Sequence, residues 1–415
     1  MVSVTKHNTP ALRFDGFDGE WEAQPLSKLG SSYGGLTGKT KEDFGYGDAR
    51  YITYLDVFEH ALINDASRLG ATDIDNRQNE VKAGDVLFTV SSEVPDEVGM
   101  SAVWLGQGRD IYLNSFCFGF RPTVELDSKF LAYALRSPDF REKMTLLAQG
   151  ISRFNISKLK AMELEIEHPA LEEQRAIGEL FADLDALIEQ HRAKHANLQQ
   201  TKTALLQRMF PQDGADEPEL RLGGFSGAWE ATEVKHIAAR AIGGGTPSRT
   251  VGEYWNGSIP WIQSSDVKEH TVFGCTPKHF ISSRGLASSA TSLVKGGSIA
   301  VVTRVGVGKV AIMTEDYCSS QDFLNLSGLQ GDLTFLGVLL QSKLEEVSSQ
   351  TQGTSIKGVT KENVMSLSIQ VPPTLEEQGA IGEVFSDLDA LIAAEDRYIT
   401  QLTQAKTALL QRMFV

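Results

Sequence analysis

The second half of this chain repeats the first, and that limits its fold more than any other feature. Residues 171–210 read LEEQRAIGELFADLDALIEQHRAKHANLQQTKTALLQRMF. Residues 375–414 read LEEQGAIGEVFSDLDALIAAEDRYITQLTQAKTALLQRMF, a gapless offset of 204 with 26 of 40 positions identical. A shorter pair opens each half, LRFDGFDGEWE from Leu12 and LRLGGFSGAWE from Leu220. Between these markers the two halves differ strongly. Such a chain folds as two copies of one frame around two different inserts, with a pseudo-two-fold relation between the copies.

Each repeated segment reads as one long helix of about 60 Å at about 1.5 Å per residue. Pro169 suits the start of the first, Glu172 and Glu173 complement its positive end, and Pro211 stops it. Apolar residues recur along one stripe of each copy. Two such stripes most simply bury each other as an antiparallel coiled coil. Ile177, Leu184, Leu198 and Leu205 would face Ile381, Leu388, Leu402 and Leu409. Gly178 and Gly382 occupy the same repeat position inside the helices. Glycine costs about 1 kcal/mol there relative to alanine, so both point to close approach, by the partner helix or by an outside protein. His191 and Glu395 are equivalent in the repeat and are expected to meet across the pseudo-dyad.

The inserts read as α+β. Strands are expected at Tyr51–Leu55, Asp85–Val90, Ile259–Ile262, Ser298–Thr303 and Val310–Met313, with helical stretches near 128–147 and 332–349. Strand-like runs at Leu164–Ile166 and Leu367–Ile369 lead into the long helices. The expected organisation is an α+β domain over 1–168, a long helix over 169–212, a second domain over 213–371 and a second helix over 372–415. Residues 211–219 (PQDGADEPE) link the halves.

The net charge is −15, with only three cysteines, Cys117, Cys275 and Cys318. There is no CxxC pair, which argues against a zinc site or disulfide framework and suits a reducing cytoplasm. No apolar run approaches 18 residues and the N-terminus lacks a signal-like core, so neither a membrane span nor secretion is expected. The acidic total hides local basic stretches. Residues 235–310 hold nine Lys/Arg against three acids, and residues 129–160 hold seven against two. Basic faces on an acidic body suit DNA binding.

Catalytic signatures are missing. Gly38-Lys39-Thr40 has Tyr33 where a phosphate loop needs glycine, and no dinucleotide fingerprint follows a strand. Neither half carries the [N/D]-P-P-[Y/F] tetrad of an amino-methylating site. His191 and His195 lack a third metal ligand. The candidate residues are instead those of a DNA contact. In the second insert, Thr246, Ser248 and Arg249 follow a run of glycines that reads as a flexible turn, and Gln263 and Ser264 follow a strand bearing Trp261. Arg304 and Lys309 flank a tight turn, where an arginine can fork to guanine O6 and N7. In the first insert, Thr37, Lys39, Thr40 and Lys41 hold the corresponding turn, and Ser91 and Ser92 fall where Arg304 falls. Arg153, Asn155 and Lys158 correspond to Lys357 and Lys361.

The paired PALEEQxxI and PxLEEQxxI segments (Pro169–Ile177, Pro373–Ile381), the repeated KTALLQRMF and the GGTPSR…IPWIQSSDV pattern sit in a duplicated layout that extends over essentially the whole chain. On these motifs the chain resembles the specificity subunit of type I restriction–modification systems. The resemblance implies two target recognition domains, each reading half of a bipartite, asymmetric site in double-stranded DNA. It also implies a helical spacer that docks two methyltransferase subunits, with motor–nuclease subunits joining them. The spacer's exposed positions and the GEWE and GAWE segments are the expected docking surface. The chain itself would be non-catalytic and cofactor-free, with S-adenosylmethionine, ATP and Mg2+ on its partners. A coiled-coil adaptor whose inserts grip peptides is the alternative, and the steep salt dependence of phosphate contacts separates the two.

Overall fold

A computed structural model of the chain describes residues 9–212, 214–351 and 358–415. Its contacts divide the chain into two compact units. One is Met1–Arg192 with Tyr398–Val415, and the other is Ala193–Arg397. Both repeated segments are continuous helices, Leu171–Met209 and Leu375–Met413, and each contributes residues to both units. No helix among the described residues is long and apolar enough to cross a membrane.

The helices pack antiparallel within each unit. In the first unit Asp185 pairs with Lys406, and the His191 ring meets Tyr398 edge-on at 4.4 Å. In the second unit Lys194 pairs with Glu395 at 2.6 Å and Lys202 with Asp389 at 2.5 Å. As one helix number rises its partner's falls. The repeat offset of 204 turns each pair of the first unit into a pair of the second. Ile177, with Leu184 and Leu409 beside it, joins the core of the first domain, while Ile381 and Leu205 join that of the second. Leu198, Leu388 and Leu402 are half-buried.

The first domain has a five-stranded sheet in the order Gly30–Gly34, Cys117–Pro122, Val86–Thr89, Ser101–Trp104, Leu62–Ile63. A three-stranded sheet (Gly70–Thr72, Phe44–Ile52, Ile111–Leu113) lies in the same unit. The second domain has a four-stranded sheet, Ala238–Gly243, Phe323–Leu329, Ser298–Val302, Val310–Met313, and a three-stranded one, His279–Ile281, Ile259–Ile262, Cys318–Ser319. In each unit the strand that feeds a long helix pairs antiparallel with the strand after the Trp marker, Glu165–His168 with Glu22–Pro25 and Ser368–Val371 with Glu230–Glu233.

Two local expectations change. Tyr54 and Leu55 lie in a helix, Tyr54–Glu59, because Thr53 and Asp56 form a capping box that ends the strand at Ile52. The stretch 128–147 is two helices, Ser128–Ala134 and Pro138–Thr145, since Pro138 breaks the first and Ser137 caps the second. Its counterpart has no proline and runs unbroken over Leu333–Thr351.

Candidate nucleic-acid interface

The repeated motif residues build two matching sockets, one in each unit. Arg13 donates to both carboxylate oxygens of buried Glu173 at 2.6 Å, and Arg221 does the same to Glu377 at 2.8 Å. These hydrogen bonds raise the pKa of both guanidiniums above its ordinary value. The Gln174 side chain accepts from the Asp127 backbone N–H and donates to the Pro169 carbonyl; Gln378 does so with Asp332 and Pro372. Asp127 and Asp332 in turn accept from Phe130 N and Phe335 N, turning the chain into the first helix after each sheet.

That turn is what approaches the helical glycines. A Cβ on Gly178 would lie 2.6 Å from both Asp127 Oδ1 and Phe130 N, and one on Gly382 2.8 Å from Asp332 Oδ1 and 3.1 Å from Phe335 N. The close neighbour is therefore the domain's own helix start, and neither the partner helix nor an outside protein. An aromatic cluster closes each socket: Trp21, Phe130, Phe181 and Phe414 in the first, Trp229, Phe335, Phe385 and Phe210 in the second. Trp21 and Trp229 are each 3% exposed. The GEWE and GAWE tryptophans are thus core residues, and only their flanking residues remain open to a partner.

On the second domain the candidate residues gather into one polar face. Trp261 Nε1 donates to the Gly245 carbonyl, and a Cβ on Gly244 would lie 2.0 Å from Ser320 O. The glycine run is therefore a close backbone contact, where a flexible turn was expected. It presents Thr246, Ser248 and Arg249. Arg249 lies over the rings of Trp255 and Trp261 at 5.6 and 5.9 Å and reaches Gln263 Oε1 at 3.4 Å. Thr246 donates to Gln321 at 2.6 Å. Gln321, Arg304 and Lys361 line an open cleft of about 580 Å³ with Thr303 and Thr360. Arg304 is exposed and has no ion pair among the described residues. Ser264 begins a short 3-10 turn capped by Gln263 and Asp266. Half-buried Lys309 pairs with exposed Glu269 at 3.1 Å, apart from the cleft. Lys357 lies outside the described residues.

The first domain uses the same backbone differently. Val90 N donates to Phe116 O and Ile156 N to Val90 O; in the second, Thr303 N donates to Asp322 O and Val359 N to Thr303 O. Ser91 therefore stands where Arg304 stands, but Ser91 and Ser92 are buried, pairing with Phe154–Asn155. The exposed groups at this spot are Phe116, with Arg153 over its ring at 5.7 Å, and Asn155. Lys158 is half-buried in the first turn of the following helix. Elsewhere Thr37 bonds to Gln78, Lys39 pairs with Asp75 at 3.3 Å and Thr40 caps a short turn holding Lys41. Hydrogen bonds, chiefly from Arg77, hold the Asp75 carboxyl far below its usual range. Phe116 and Gln321 were not legible in sequence, because only strand pairing brings them beside the cations.

No group of three His, Cys, Asp or Glu among the described residues is placed to hold a metal ion. Burial pushes the Cys117 and Cys275 thiols up to about 12 and Cys318 to about 11, so none is a ready nucleophile at neutral pH.

A family model for the type I restriction modification DNA specificity domain matches residues 19–200 and 227–404. The chain belongs to this family. The protein assigned as the MjaX type I restriction enzyme specificity subunit of Methanocaldococcus jannaschii is 24% identical over 414 residues, spanning 94% of this chain and 92% of that one. The crystal structure of a type I S subunit from M. genitalium superposes with a TM-score of 0.64 at 16% identity, covering 98% of this chain and 99% of its own. A chain from a structure on assembly and conformational transition of the type I system gives 0.56 at 18% identity, covering 95% and 97%. These structural likenesses show the shared α+β fold with its two domains and paired long helices. As a type I specificity subunit, the chain is the DNA-specificity component of its complex and not a catalytic one; the cofactors belong to the modification and restriction subunits.

Proposed function

We propose that each α+β domain reads one half of a bipartite, asymmetric DNA site, and that the paired helices set the unspecified spacer and dock two methyltransferase subunits, which motor–nuclease subunits join. The observation that carries this is the contrast between sockets and faces. Matching Arg–Glu, Gln–Asp and aromatic contacts hold both domains. The exposed groups differ, Arg249, Gln321, Arg304 and Lys361 beside half-buried Gln263 on one and Arg153, Phe116 and Asn155 on the other. Equal mountings with unlike faces suit two unlike half-sites.

Arginine can fork to guanine, glutamine to adenine, and an exposed phenylalanine can contact the thymine methyl. Lys361, at the cleft, supplies a sequence-independent phosphate contact. Methylation of a base within a duplex requires flipping it out, which falls to the partner. Mapping methylated adenines across a genome, in cells with and without this chain and with a methyltransferase partner supplied, tests the reading. A bipartite, asymmetric motif that depends on the chain is the expected result. Absence of any such motif would overturn the reading of two half-sites across a spacer.

A further inference from the structure

In the second unit a buried ion pair joins three segments. Lys202 of the first long helix and Asp389 of the second meet at 2.5 Å, with side chains only 7% and 5% exposed. Neither stops at the other. Lys202 Nζ also donates to the His270 carbonyl at 2.7 Å, and Thr271 Oγ1 donates to Asp389 Oδ2 at 2.9 Å. His270 holds a left-handed backbone, φ 59°, which is uncommon outside glycine. Two residues on, Val272 is fully buried, and its carbonyl accepts from Ile312 N in the strand Val310–Met313. The loop is therefore tied to the sheet of the second domain.

Among the described residues the domain is held to its helices at two levels. The first is the socket at Gly382 and Phe385. The second is this pair at Asp389, about 10 Å further along the helix from Gly382 at about 1.5 Å per residue. One attachment alone permits rocking; two fix a tilt. We infer that Lys202 and Asp389, gripping the loop at His270 and Thr271, are positioning residues that fix the tilt of the second recognition domain on its helices, and through it the one spacer length the subunit accepts. The first unit repeats the device at the pseudo-equivalent positions: Asp185 pairs with Lys406 and accepts from the Tyr133 hydroxyl of the first domain at 2.9 Å. A plain helix-to-helix bridge would have no need of a domain residue in both copies. This inference rests on the proposed reading of two half-sites across a spacer.

The test uses the full chain in complex with its methyltransferase partner and compares methylation at sites whose half-sites are intact but whose spacer is one base pair shorter or longer. Thr271→Val removes the hydroxyl's bonds to Asp389 and to Phe273 N and leaves the ion pair and the Lys202–His270 bond in place. The double variant K202M/D389L replaces the pair with apolar side chains, an exchange that buried pairs often tolerate without loss of stability. Both should keep the half-site sequences and raise methylation at off-length spacers at least tenfold relative to the wild-type ratio. Retention of a single spacer by both folded variants, whatever the overall rate, would overturn the inference, as would a change in half-site sequence. A wild-type chain with no bipartite motif would sink the underlying function and this inference with it.

Discussion

Two glycines show how residue chemistry depends on place. Gly178 and Gly379 both lie inside long helices, where alanine is intrinsically better by about 1 kcal/mol. At Gly379 nothing lies within 4 Å of an added Cβ. Gly379→Ala should therefore raise stability by about 1 kcal/mol. At Gly178 the same methyl would sit 2.6 Å from the backbone nitrogen of Phe130, and overpacking of that kind costs about 1–3 kcal/mol. Gly178→Ala should lower the melting temperature while Gly379→Ala raises it; equal shifts would refute the close-approach account. The repeat position of Gly178 and Gly382 announced a close neighbour in the sequence. Its identity was hidden, because the Asp127 and Asp332 turns reach the helix only through tertiary packing. For the same reason the buried state of Ser91 and Ser92 could not be read from their alignment with Arg304.

At the scale of elements, the long helices were legible to within a few residues, since a repeated apolar stripe and bounding prolines specify them redundantly. Short strands with clear alternation, such as Ile259–Ile262 and Val310–Met313, were also legible. What failed were ends set by side-chain hydrogen bonds, as at Thr53, and breaks set by a single residue, as at Pro138. The helix pair carries its own prediction. Four residues inserted in each helix, between Arg192 and Ala193 and between Arg397 and Tyr398, lengthen it by about 6 Å. At roughly 34 Å per duplex turn of about ten base pairs, the spacer in the methylated motif should grow by about one to two base pairs. An unchanged spacer would count against the helices as its determinant.

For the whole molecule, the duplication gave the architecture, but not which residues complete which domain. Leu12 N donates to Arg412 O in the first unit as Leu220 N does to Arg208 O in the second, both at 2.8 Å. Phe414 and Phe210 then enter equivalent aromatic clusters. Truncating a buried phenylalanine to alanine costs about 3–5 kcal/mol. Phe414→Ala should thus loosen the N-terminal domain, read as faster amide exchange in Ser128–Ala134, while Phe210→Ala loosens Leu333–Thr351 instead. Faster exchange in the same segment for both variants would refute this division.

The split of the first unit across Met1–Arg192 and Tyr398–Val415 also bears on biosynthesis. A ribosome adding about 5–20 residues per second needs roughly 10–40 s to travel between those stretches. For that interval Trp21, Phe130 and Phe181 wait without Phe414, so of the two units the one that starts first in the chain is completed second. An apolar seat left open that long is the kind of transiently exposed surface that favours aggregation during synthesis.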